Sequence, residues 1–275
     1  MAKSLTAKET QGLSSRERSI ISNFMRKGRV TVKGNDVEKE FNISRPLANK
    51  ILSRLEKKGW LKRSKRGIYV FVPLTSTTKE TVPEDPWLLA MELFKPCYIS
   101  GFTAAEYWGL TEQVFNTIVV YTTQRQRSNS QKLTNVSFYT HYIPESNFFG
   151  TQKIWRNNIP VLIADIHRNV IDVLANPKFG GGGSHTMDIV YSYWKSDKAD
   201  PGKLFQYAAK IRNKVIFKRL GFSAELWGNT TKEWLDECRK QISNGISKMD
   251  PSGENKGKII TRWKLRINVL IEEYK

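Results

Sequence analysis

The stretch from Ser44 to Lys57 constrains the fold of this chain more than any other. Leu47, Ile51 and Leu55 fall at i, i+4 and i+8, with Ala48 and Leu52 on the same side, so the spacing predicts an amphipathic helix. Ser44 is its expected N-cap, and Pro46 is tolerated in the first turn because those amides lack intrahelical partners anyway. Gly59 ends it. Trp60-Leu61-Lys62-Arg63 and Gly67-Ile68-Tyr69-Val70-Phe71-Val72 then read as two extended runs around the basic turn Ser64-Lys65-Arg66. Upstream, Ser14-Ser15-Arg16-Glu17 has the form of a capping box, followed by apolar Ile20, Ile21, Phe24 and Met25 and a stop at Gly28. Val30 and Val32 suit a short extended piece, and Asn35-Asp36-Val37-Glu38 opens a second helix that runs to about Phe41. Three short helices followed by a basic hairpin is the order of a winged helix-turn-helix.

The charge falls on the same elements. The chain carries a formal net charge of +19, and residues 1–75 hold 18 Lys+Arg against 6 Asp+Glu. A charge serving solubility alone would be spread evenly; this one marks a polyanion-binding end. Opposite the apolar side of the third helix stand Asn49, Lys50, Ser53 and Lys57, with Ser44 and Arg45 at its N-terminal end. A major groove admits one helix and offers base-edge acceptors to Arg and Lys and paired sites to Asn. Arg45, Asn49 and Lys50 are therefore the expected base readers. Ser44, Ser53 and Lys57 suit phosphates, and Lys62, Arg63, Lys65 and Arg66 suit the backbone or the adjacent minor groove. Trp60 and Tyr69 are expected to pack between helix and wing rather than stack on bases.

Residues 1–75 form the expected DNA-binding domain, with 1–13 a flexible arm. Residues 76–86, rich in Thr and closed by two prolines, read as a linker. Residues 87–275 form a second, larger domain of mixed α/β character, so the fold class is α+β. Helices are expected near Trp87–Phe94, Thr103–Trp108, Val170–Leu174, Lys203–Arg212 and Lys214–Leu220, with another capped by Thr230-x-x-Glu233. Strands are expected at Thr117–Tyr121, Val136–His141 and Val161–Ala164. Pro251–Lys258 reads as a polar loop. At the end, Trp263, Leu265, Ile267 and Val269 alternate with polar residues as in a half-buried strand.

Cys97 and Cys238, alone and far apart, make neither a disulfide framework nor a zinc spacing, which points to a reducing, cytoplasmic setting. No signal-like or membrane-spanning run is present in the sequence. His141, His167 and His185 lack metal-ligand spacing, and neither metal nor cofactor is expected. Gly180–Gly183 lacks the Lys-Ser/Thr of a phosphate-binding loop and reads as a flexible loop. Asp165 and Asp172 are read as helix-start carboxylates that favour the macrodipole, not as a catalytic pair. The basic run Lys210, Arg212, Lys214, Lys218 and Arg219 is read as a solvated helix face.

The wing Gly59-Trp60-Leu61 with Gly67-Ile68-Tyr69, then Tyr98-Ile99-Ser100-Gly101-Phe102-Thr103-Ala104-Ala105-Glu106-Tyr107-Trp108-Gly109-Leu110-Thr111, resembles the AbiEi-type antitoxin family of type IV bacterial toxin–antitoxin systems. So do Ala164-Asp165-Ile166 and Val170-Ile171-Asp172-Val173-Leu174 with Pro177, the segment Lys218-Arg219-Leu220-Gly221-Phe222, and Arg262-Trp263-Lys264-Leu265-Arg266-Ile267-Asn268. The chain departs from the family pattern at His167-Arg168, where an acidic–basic pair is usual. The resemblance implies a non-enzymatic antitoxin whose winged helix represses its own operon at inverted-repeat operator DNA. It also implies a C-terminal domain that counteracts a nucleotidyltransferase-type toxin without a stable complex, in defence against phage. The alternative is a DNA-targeted enzyme such as a nuclease. That would need clustered carboxylates beside a Lys, whereas Glu92, Glu106, Asp165, Asp172 and Asp188 are scattered.

Overall fold

The first helix begins where its capping box predicts. In the computed structural model, which describes residues 12–72, 85–133 and 135–271, α1 spans Ser15–Arg26. The Ser14 backbone amide donates to Glu17 Oε2 at 2.9 Å, and Ser14 Oγ accepts from the Glu17 amide at 3.3 Å. Glu17 is only 2% exposed and takes a 2.7 Å bond from Lys58 Nζ, which ties α1 to the residue just past the third helix. Burial pushes the Glu17 carboxyl up, but the bonds from Lys58 and Ser14 outweigh it and hold the group below its ordinary value.

Strand β1 (Thr31–Lys33) leads into α2 (Gly34–Phe41), α3 (Arg45–Lys57) and the hairpin β2 (Leu61–Lys65) and β3 (Ile68–Phe71). Helix α2 starts one residue before the expected Asn35, because Asp36 accepts from the Lys33 amide at 2.8 Å and so sets the first turn. The sheet order is β1-β3-β2, antiparallel throughout. Ile20, Ile21, Phe24, Val37, Ile51, Leu52 and Leu55 close a core on Val32, Leu61, Tyr69 and Phe71, and Trp60 packs half-buried against it. Two apolar residues expected inside are outside: Met25 is 41% and Leu47 37% exposed.

Contacts divide the described residues into two compact units that do not break at residue 87. One holds the described residues up to Lys95 with Ser130–Phe138 and Ile154–Val161. Most of the expected linker, residues 76–84, lies outside the described residues; Asp85 and Pro86, its last two, instead cap and open helix α4 (Pro86–Phe94). Five of the nine α4 residues are buried apolar side chains, and Thr31 Oγ1 and Glu92 Oε2 are 3.4 Å apart, so α4 is part of this unit's interior.

The other unit comprises Pro96–Asn129, Tyr139–Lys153 and the described residues from Leu162 onward. Its elements include β4 (Cys97–Ile99), α5 (Gly101–Tyr107), β5 (Thr117–Thr122), α6 (Ile166–Ala175), α7 (Gly183–Lys195), α8 (Pro201–Ile211), α9 (Lys214–Trp227) and α10 (Lys232–Gln241). Four further strands are β6 (Ser130–Leu133), which falls in the first unit, and β7 (Val136–Tyr142), β8 (Thr151–Arg156) and β9 (Ile159–Ala164), whose residues are divided between the two. β4 runs antiparallel to β5 and parallel to β9. A small sheet, β10 (Ser247–Lys248), β11 (Lys258–Ile260) and β12 (Leu265–Ile267), has the order β10-β12-β11.

Three local expectations need correction. Gly180–Gly183 is not a free loop: Gly182 N donates to the Pro177 carbonyl at 2.9 Å, and Gly183 N donates to Asp250 Oδ2 at 2.8 Å as α7 begins. Helix α10 is capped by Thr231, not Thr230, its hydroxyl accepting from Trp234 N. The closing alternation buries Trp263, Leu265 and Ile267 as expected, yet regular strand covers only Leu265–Ile267, because Trp263 ends a 3-10 turn and Lys264 turns the chain at φ 49°.

Trp263 is fully buried and donates from Nε1 to Glu225 Oε2 at 2.7 Å. Its ring fills the space that a Cβ at Gly221 would need. Trp263→Ala is expected to cost about 3–5 kcal/mol, and Gly221→Ala about 1–3 kcal/mol through overpacking against a rigid ring; denaturant melts measure both. For Glu17, the depressed carboxyl contributes stability above its unfolded value of 4.5 that is lost as pH falls through the lower folded value. Glu17→Gln should therefore lower stability at neutral pH and flatten the acid limb of a melting series below about pH 4.5.

Candidate nucleic-acid interface

Helix α3 buries Ala48, Ile51, Leu52 and Leu55 and leaves Asn49, Lys50, Arg54 and Lys57 exposed. Its N-cap Ser44 is extended and exposed, but its side chain makes no capping hydrogen bond, unlike the hydroxyl of Ser14. The hydroxyl and the first-turn amides of α3 thus remain together at the positive end of a helix dipole, an arrangement suited to phosphate.

Arg45 and Asn49 are brought together over α2. Gly34 opens that helix, and the space its missing Cβ would take is filled by Asn49 Oδ1 and by Arg45 Nε, 2.8 Å from the ideal Cβ position. Arg45 Nη1 also lies 3.4 Å from Glu38 Oε2, both side chains more than a third exposed. A pair so exposed is weak and can exchange for a phosphate or base acceptor. Ser53 is half-buried, while Lys50 and Lys57 are exposed.

The wing turns at Gly67, with φ +75°, and an irregularity in register falls between Arg63 and Lys65. Arg63 and Arg66 are exposed and Lys62 is half-buried. Lys65 differs from the other wing cations: its Nζ lies over the Phe94 ring at 4.4 Å, and burial pushes its pKa down. The sequence reading missed Arg54, exposed on α3 four residues after Lys50 and 4.0 Å from Glu17 Oε1. The i, i+4 spacing from Lys50 was the available signal.

The second unit contains a buried polar frame. Asp165 caps α6, accepting from Arg168 N at 2.8 Å, as the helix-start reading expects. Asp172 departs from that reading: it lies well inside α6, with Oδ1 2.9 Å from Arg168 Nε and Oδ2 bonded by Ser100 Oγ at 2.8 Å and Tyr98 Oη at 3.2 Å. Nor is the basic run of α8 and α9 one solvated face. Lys210, Arg212 and Lys214 are exposed, but Lys218 and Arg219 are buried. Lys218 bonds the Gly245 carbonyl and Ser247 Oγ, and Arg219 bonds the carbonyls of Leu174 and Lys248. Burial pushes the Arg219 guanidinium down to about 10. The three histidines sit apart: His167 Nδ1 meets Tyr193 Oη at 2.7 Å, His185 Nδ1 meets the Gly180 carbonyl at 2.6 Å, and His141 packs on Tyr121 and Phe179.

Three helices, a three-stranded sheet and a basic hairpin make the N-terminal part a winged helix-turn-helix, the fold class expected from the sequence. Residues 18–72 match the family model described as "Transcriptional regulator, AbiEi antitoxin". No curated protein matches the chain. Among solved structures it is similar to the RV2827C protein from Mycobacterium tuberculosis, with a TM-score of 0.61 and 12% identity over 94% of this chain and 93% of that one. At that identity the likeness speaks to the fold. Among the described residues, no helix is long and apolar enough to cross a membrane.

Salt titration distinguishes the wing cations. Arg66→Ala is expected to flatten the dependence of log K on log salt by about 0.9, the share of one phosphate contact. Lys65→Ala should leave that slope unchanged, because its amine lies over an aromatic ring. Gly34→Ala, which displaces Asn49 and Arg45, should cost about 1–3 kcal/mol on a preferred sequence and little on random DNA. Gel shifts on both duplexes read the difference.

Proposed function

We propose that this chain is the antitoxin of a type IV toxin–antitoxin system and the repressor of its own operon. The match of residues 18–72 to the antitoxin regulator family is the observation that carries the reading. Operator binding is assigned to α3 and the wing, with Arg45, Asn49 and Lys50 reading bases. Ser44, Ser53, Lys57, Lys62, Arg63 and Arg66 hold phosphates, and the operator is an inverted repeat that two copies occupy. Lys65, first grouped with these, is given a packing role. Neutralisation of a nucleotidyltransferase-type toxin, without a stable complex, is assigned to residues 87–275. The protein acts in the cytoplasm and catalyses no reaction of its own.

Paired assays on the same full-length variants test this division. Lys50→Ala combined with Arg66→Ala should derepress a promoter reporter at least about fivefold, since loss of one base and one phosphate contact removes about 1–3 kcal/mol or more. The same variant should still protect cells that express the neighbouring toxin gene. If it folds, loses repression and also loses protection, antitoxicity runs through DNA occupancy and the division of labour is wrong.

A further inference from the structure

We propose that Leu47 is a specificity determinant that reads the 5-methyl group of a thymine in the major groove. The inference rests on the reading of α3 as the groove helix. Periodicity places Leu47 in the core, but the structure holds it out: it is 37% exposed and belongs neither to the N-terminal core nor to the partly buried apolar residues packed against that core. It is the third residue of α3, in the turn where such helices meet base edges. Pro46 precedes it and fixes the backbone of that turn.

The surroundings define what this side chain can meet. Lys50 and Arg54 follow it at i+3 and i+7, so all three share a side of the helix, and both cations are exposed. An apolar group set among cations is directed by them to a polyanion. The major groove of a DNA duplex has one apolar feature on its base edges, the thymine methyl group. Leucine has no donor or acceptor, so it can distinguish thymine only by that methyl, and it leaves the hydrogen-bonding edges to Asn49 and Lys50.

The test begins with the full chain selecting duplexes from a random-sequence pool. The enriched site is resynthesised with each thymine replaced singly by deoxyuridine, which removes only the methyl group. At one position in each half-site, wild-type affinity should fall about fourfold, the value of one carbon of apolar surface kept from water. Leu47→Ala should bind the thymine and deoxyuridine duplexes equally, melt at the wild-type temperature and still bind both more tightly than random DNA. Leu47→Met should keep the discrimination. If no deoxyuridine weakens the wild type, or if the loss persists undiminished in Leu47→Ala, the proposal is overturned while the groove-helix reading stands. If no sequence is enriched at all, the groove-helix reading fails and this proposal fails with it.

Discussion

The second unit is organised around one ion pair that water does not reach. Arg168 and Asp172 lie one turn apart on α6, each 1% exposed. Two charges taken out of water depend on good pair geometry and on further hydrogen bonds to their remaining lone pairs and protons. Tyr98 and Ser100 supply most of that complement: both hydroxyls bond Asp172 Oδ2, and Tyr98 Oη also accepts from Arg168 Nη2 at 2.8 Å. Arg168 Nη1 has no hydrogen-bond partner among the described residues, and the guanidinium lies over the Phe149 ring at 4.4 Å. Being two residues apart on an extended chain, they face the same way, so a single register of β4 against α6 satisfies both. Immediately afterwards Gly101 turns with φ +63°, where a Cβ would overlap the Phe179 carbonyl oxygen. The pair thereby fixes β4 against α6.

That arrangement explains what the family-like segments have in common. Tyr98-Ile99-Ser100-Gly101 and Asp165 through Leu174 meet at the buried pair. Lys218-Arg219-Leu220-Gly221 and Arg262-Trp263 meet at a second junction, where Gly221 admits the Trp263 ring and Arg219 holds the carbonyls at the end of α6. The sequence showed these segments as separate pieces, since neither a backbone carbonyl nor a missing Cβ announces its distant partner. For the same reason Lys218 and Arg219 read as a solvated face: their acceptors are mostly main-chain oxygens, which every residue carries. Helix α7 went unforeseen because three glycines precede it, a fourth opens it, and its first amide is satisfied by Asp250, 67 residues away from Gly183. The three-residue β4 and the polar strands β6 and β8 were too short or too hydrophilic to register as period-two patterns.

Legibility was higher in the N-terminal part, where the deciding interactions are local. The Ser14–Glu17 capping box, the apolar face of α3 and the glycine turn of the wing all act within four residues of themselves. Leu47 is the instructive failure. Steps of four residues drift by about 40° on an α-helix, so Leu47, Ile51 and Leu55 sweep across an arc instead of lining up. Ala48 and Leu52 pull the buried face toward the later members, and Leu47 is left at its edge. Among the residues proposed to meet DNA, Lys65 has a neighbour the sequence did not reveal, the Phe94 ring on α4.

The formal charge of +19 therefore overstates what a polyanion meets, but not every paired cation is lost to it. Lys27 with Glu40, Arg29 with Asp36 and Arg45 with Glu38 are pairs in which each cation is more than a third exposed. Such pairs contribute on the order of 1 kcal/mol or less, and a phosphate can replace the carboxylate at little cost. Lys58 is different, because leaving Glu17 would strand a carboxylate that is 2% exposed. Lys218, Arg219 and Arg168 are held by buried acceptors that would be left unsatisfied. Burial of the partner, more than the presence of one, decides which cations can turn to DNA. By that criterion Arg45 stays available, and the exposed Lys50, Arg54, Lys57, Arg63 and Arg66 join it.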